Sequence, residues 1–135
     1  MKRILSAAAA LLATTALHAA PPPKVAPLPE LTPAQLEIAP RVFVGRADCE
    51  FAQKIDVQPV PGQPGAFLVV HGKNRYTMVP QETTTGAVRL EDPRAGVVWL
   101  QIPAKSMLMN SRIGRRLVDD CQHPEQRSNV AAAAE

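Results

Sequence analysis

The residues between positions 41 and 123 best placed to carry chemistry are His71, His123, the carboxylate pairs Glu91-Asp92 and Asp119-Asp120, and the cysteines Cys49 and Cys121. A serine or cysteine nucleophile needs a histidine base oriented by a third group. His71 stands just before a turn sequence and His123 at the head of the C-terminal segment, neither with such a partner in sequence. Neighbouring carboxylates on a strand point to opposite faces and cannot flank one substrate, so both pairs are predicted to be solvated turn or end residues. Cys-x-His is not a metal-ligand spacing, and Cys49, Cys121, His71 and His123 contain no second close pair. Phosphate loops, dinucleotide fingerprints and zinc helices are absent from the sequence. These residues predict a non-catalytic binding protein without cofactor or metal.

The elements that must position a binding surface are short strands. Val42 and Val44, Ile55 and Val57, Tyr76 and Met78, and Val88 and Leu90 alternate with other residues, and Phe67, Leu68, Val69 and Val70 form a β-rich run. Val97, Val98, Trp99, Leu100 and Ile102 make the most hydrophobic segment. Pro61-Gly62, Gly72-Lys73-Asn74 and Asp92-Pro93-Arg94-Ala95-Gly96 punctuate these runs with turn chemistry. The pattern predicts an all-β domain over 41–123, a small antiparallel barrel or sandwich of about seven to eight strands. Over 113–121, Ile113, Leu117 and Cys121 recur every fourth residue, which suits a short C-terminal helix as well as a strand.

Outside that unit the chain changes character. Lys2 and Arg3, an apolar run over 4–17 and small residues at Ala19 and Ala20 have the three parts of a secretory signal, cleaved after Ala19 or Ala20. The run is shorter than the roughly 20 residues of a membrane-spanning helix, so no membrane span is expected after cleavage, and the protein is expected to be periplasmic or secreted. Removing Lys2 and Arg3 lowers the formal charge from +3 to +1 (13 Lys+Arg against 12 Asp+Glu), too little for a nucleic-acid footprint. Seven of the 14 prolines fall within 21–40, predicting an extended leash that buries little, interrupted by a turn or two of helix capped by Thr32. Residues 124–135, ending in an alanine run, are expected to be a disordered tail. In an oxidising compartment Cys49 and Cys121 are expected to form one disulfide.

Two segments exceed what a surface turn requires. Thr83, Thr84, Thr85, Gly86 and Arg89 place hydroxyls, a glycine and a cation at the mouth of a strand. Lys105 and Ser106 lead into Met107, Leu108 and Met109, with the methionines on one face and Leu108 on the other. The succession Cys49, Thr85-Gly86-Ala87-Val88-Arg89, Val98-Trp99, Lys105-Ser106 and Cys121 resembles the c-type lysozyme inhibitor family over about 42–121. In that family a Ser-Gly-x-x-Tyr loop and a Lys-Gly-x-x-Ala loop follow the middle strands, and an N-terminal cysteine bonds a C-terminal one. Here Thr85 stands for the serine, Arg89 for the tyrosine and Ser106 for the glycine, while Lys105 comes six residues after Trp99. The resemblance implies an eight-stranded barrel whose two loops enter a lysozyme cleft, with Thr85, Gly86, Arg89, Lys105 and Ser106 as binding residues. The alternative reading is a periplasmic envelope or protein-interaction module of unknown target that shares the fold but not the inhibition.

Overall fold

The computed structural model describes residues 27–135; the predicted signal segment and the beginning of the proline-rich stretch lie outside the described residues. Eight strands follow one another as an antiparallel meander: β1 (Gly45–Asp48), β2 (Lys54–Pro59), β3 (Phe67–His71), β4 (Asn74–Gln81), β5 (Val88–Asp92), β6 (Val97–Gln101), β7 (Ser106–Asn110) and β8 (Arg115–Cys121). Each pairs with its chain neighbour, so every join but one is a local hairpin. The remaining join brings β1 to β8. There Asp48 and Gln122 exchange backbone hydrogen bonds of 3.1 and 2.8 Å, and the Cys49–Cys121 disulfide lies one residue further on each strand. The sheet is a nearly closed barrel, which removes most of the edge that an open sheet leaves unpaired.

Alternation decides what fills the interior. Ile55 and Val57 of β2, Phe67 and Val69 of β3, Val88 and Leu90 of β5, and Leu108 of β7 point inward around Trp99. Trp99 is fully buried, so side chains occupy the barrel centre. Over 115–121 the strand alternative holds, with Val118 buried in the core, whereas Ile113 stands exposed in the turn before it and belongs to neither a helix nor a strand face. Asp120, with φ of 51°, bends the end of this strand and leaves both Asp119 and Cys121 buried.

Three terminal expectations are corrected. The strand expected around Val42 and Val44 begins only at Gly45, because the preceding backbone bonds to a side chain instead: Gln101 accepts from Phe43 N at 2.8 Å and donates to the Arg41 carbonyl at 2.8 Å. The stretch 27–40 is not a loose leash. Helix α1 (Pro33–Ile38) has the expected Thr32 cap, and Gln35 donates to the Pro80 carbonyl of β4 at 2.8 Å. Ile38 and Ala39 pack on the core, and Gly65, at φ of 86°, lets the β2–β3 turn approach Leu31 and Leu36 so closely that a Cβ there would lie 2.7 Å from Leu31 Cδ1.

The segment predicted as a disordered tail contains helix α2 (Pro124–Ala133). It is anchored by polar groups rather than an apolar face, which is why its alanines carried no signal. Buried Gln126 accepts from His123 N at 2.9 Å and donates to the Ile102 carbonyl and to Ser106 Oγ at 2.9 and 2.8 Å. His123, also fully buried, bonds through Nε2 to the Gly45 carbonyl at 3.0 Å and packs against Phe43 and Trp99.

Removing one partner from such a buried set leaves the others unsatisfied, at about 1–3 kcal/mol. Gln126→Ala is therefore expected to lower the melting temperature by roughly 8 °C, while Ser128→Ala on the exposed side of α2 shifts it little. Equal melting of both variants would show that α2 does not brace the barrel. Reducing the disulfide, whose cysteines are 72 residues apart, is expected to destabilise the fold by about 4 kcal/mol on loop-entropy grounds, read as a lowered urea midpoint. An unchanged midpoint would place the strength of the seam in its hydrogen bonds alone.

Candidate binding rim

Because the strands alternate in direction, the β4–β5 and β6–β7 connections emerge at the same end of the barrel. Gly86 from the first and Ile102 and Pro103 from the second line one cleft of about 190 Å³. The structure thus sets the threonine loop beside the β6–β7 connection, but through Ile102 and Pro103 rather than through Lys105 and Ser106, the residues singled out in the sequence.

The β4–β5 loop is tied by its own threonines. Thr83 Oγ1 donates to the Ala87 carbonyl at 2.7 Å, and Thr85 Oγ1 accepts from Ala87 N at 3.4 Å. Gly86 takes φ of 79° at the tip, with Thr84, Thr85 and Gly86 exposed. A rigid tip with a free hydroxyl hydrogen suits entry into another molecule, since little freedom remains to be lost. The Gly86 carbonyl accepts from the Arg41 guanidinium. Arg89 lies on the outer face of β5 and pairs with Glu91 at 3.2 Å, sharing an open hollow with Thr83 and Thr85.

Lys105 is committed elsewhere. Its Nζ is 2.9 Å from Asp120 Oδ1 and 3.2 Å from Asp119 Oδ1. Ser106 is 1% exposed, its hydroxyl accepting from Gln126, so it is corrected from a contact residue to a structural one. Leu108 fills the core while Met107 and Met109 are half-buried on the outer face, as alternation predicts.

The remaining chemistry-bearing residues are engaged in structure. His71 Nε2 is 2.8 Å from Gln53 Oε1 at the strand end. Asp92 Oδ1 accepts from the backbone of Arg94 and Ala95 at 3.0 and 3.1 Å, closing a turn. Asp119, expected to be solvated, is instead 6% exposed and a hub: its carboxylate receives Lys105, Arg116 at 3.0 Å and the Asp120 amide at 2.7 Å, while its own amide donates to Glu50 Oε1. Among the described residues no three of His, Cys, Asp and Glu converge to hold a metal ion. Residues missed in sequence are Arg41, Gln101 and Gln126. Gln101 alone left a trace, as a polar residue in phase with the inward-facing Val97 and Trp99.

Comparison with protein-family models, with curated proteins and with solved structures returns no match for this chain. Its site is therefore defined by its own geometry.

The Asp119 hub sets an acid limit on stability. Burial alone would raise its carboxyl, but the Asp120 amide, the Lys105 ammonium and Arg116 together hold it below the ordinary aspartate value. Lys105 is raised above the ordinary lysine value by its hydrogen bonds to Asp120 and then Asp119, against partial desolvation. A depressed carboxyl stabilises the fold above its unfolded value and loses that contribution as pH falls through the folded one. A raised ammonium contributes below its unfolded value and loses that as pH rises through the folded one. The pair's contribution should be level between about pH 4 and pH 10 and fall outside that window. Urea unfolding of Asp119→Asn across pH 2–7 is expected to flatten the acid limb seen in the parent protein. An identical acid limb in both would assign it to other carboxylates.

Proposed function

We propose that this protein is an exported, non-catalytic binding domain whose β4–β5 loop enters the cleft of a c-type lysozyme. The observation that carries this reading is the convergence of two connections on one rim, with Thr85 exposed at the tip of a loop held rigid by its own hydrogen bonds. A filled barrel with a braced projecting loop supports recognition by insertion rather than enclosure of a ligand. The cleft of such an enzyme carries two acidic groups, one kept protonated by an apolar site. A hydroxyl can accept from the protonated one or donate to the ionised one, which is the role of Thr85. The disulfide suits an oxidising compartment, where a secretory signal would deliver the chain. Gly86 provides the close approach at the tip, and Arg89 flanks it from the outer face of β5.

The test is a titration of the protein lacking residues 1–20 into a c-type lysozyme, scored by cell-wall lysis. Thr85→Val, which keeps the shape and removes the hydroxyl, is expected to weaken inhibition about tenfold or more, because a buried hydrogen-bonding group of the enzyme loses its partner. Lys105→Ala, whose ammonium already faces Asp119 and Asp120, should change inhibition no more than Lys54→Ala. Absence of inhibition at micromolar concentration would defeat the lysozyme reading and leave a periplasmic interaction module with a different protein target.

A further inference from the structure

With Lys105 neutralised by two carboxylates, the rim has a different cation at its cleft. Arg41 is exposed, its guanidinium reaches the Gly86 carbonyl of the β4–β5 loop, and no carboxylate among the described residues forms an ion pair with it. Its backbone is fixed from both sides. The Gln101 side chain holds the Arg41 carbonyl and the Phe43 amide, and between them Val42 is buried in the core. Gln101 is thus a positioning residue: 4% exposed, it spends its amide on placing Arg41 at the rim.

Toward β6 and α2, Arg41 lines the cleft shared with Phe43, Gly86, Ile102 and Pro103, in which it is the only charged lining residue among the described residues. Its volume, about 190 Å³, accommodates one acidic side chain. Arg41 also lines a second hollow with Glu37 and Glu82, whose charges disfavour an anion there and leave the cleft beside Ile102 as the approach. We infer that Arg41 is the specificity-determining cation of the rim, and that the cleft between Gly86 and Ile102 receives an aspartate or glutamate side chain of the partner. A guanidinium with one N–H spent on Gly86 retains further donors for the planar, two-point recognition of a carboxylate. This inference rests on the rim being the binding face, and it deepens that reading by naming the chemistry the partner must present.

Two probes separate the inference from the lysozyme assignment. In proton–nitrogen correlation spectra of the protein lacking residues 1–20, N-acetylglutamate is expected to give saturable shifts at Gly86, Ile102 and the Arg41 side chain. Arg41→Gln should abolish the backbone shifts, Arg41→Lys should retain them at weaker affinity, and Arg75→Gln, an exposed arginine on β4, should leave them intact. With a c-type lysozyme as the second probe, Arg41→Gln should raise the half-inhibitory concentration at least about tenfold. Melting curves of the variants report whether each is folded. N-acetylglutamate shifts confined to the Arg41 cleft, with no lysozyme inhibited, would uphold the inference and remove the enzyme as partner. Shifts that follow every exposed arginine, that persist in Arg41→Gln, or that never appear would overturn it, as would undiminished inhibition by Arg41→Gln.

Discussion

A meander of hairpins becomes a barrel only if its first strand meets its last, and here that meeting is confined to a few atoms. Asp48 and Gln122 supply two backbone hydrogen bonds, Cys49 and Cys121 a covalent link, and His123 a bond to the Gly45 carbonyl. Everything else in the sheet is paired with its sequence neighbour. The seam is also where backbone strain collects: among the described residues, the non-glycine ones with positive φ, namely Phe51, Ala52 and Asp120, all lie within three residues of a bonded cysteine. Such conformations persist where surrounding bonds over-determine them, and the Asp119–Glu50 hydrogen bond, the Lys105 pairs and the disulfide do so.

Around that seam, buried amides do work that apolar contacts cannot. Gln101 fastens the segment after α1 to the rim, and Gln126 fastens α2 to Ile102, Ser106 and the backbone of His123. An amide satisfied on both its oxygen and its nitrogen bears little desolvation penalty and fixes direction as well as distance. The two terminal segments therefore bracket the same end of the barrel and give the β4–β5 loop its surroundings.

The strands were legible because alternation and turn residues agree, as in Phe67 and Val69 before Gly72, or Val97 and Trp99 after Gly96. The cysteine pair was legible because it stands alone in the chain. Helix α2 was not, since its hold on the barrel is a few polar side chains, Gln126 foremost with Arg127 and Asn129, rather than a periodic stripe, and neither was the docking of α1, which depends on a glycine in a distant turn. At the site, the loop bearing Thr85 could be found from composition. The commitment of Lys105 could not, because Asp119 and Asp120 approach it only once β8 lies beside β7. Arg41 was hidden for the same reason: it meets Gly86 across 45 residues.

Placing the closure of the sheet between the two ends of the barrel has a temporal consequence. Hairpins from β2 to β7 can form as the chain emerges, each from contacts nearby in sequence. The seam must wait for Gln122 and His123, and Cys49 has no partner to oxidise with until Cys121 arrives. Oxidation of this pair thus records that the chain has been made through β8, the strand that closes the barrel. A chain truncated before residue 121 would carry a lone thiol beside an unsealed sheet edge, open to pairing with another chain through both sulfur and backbone.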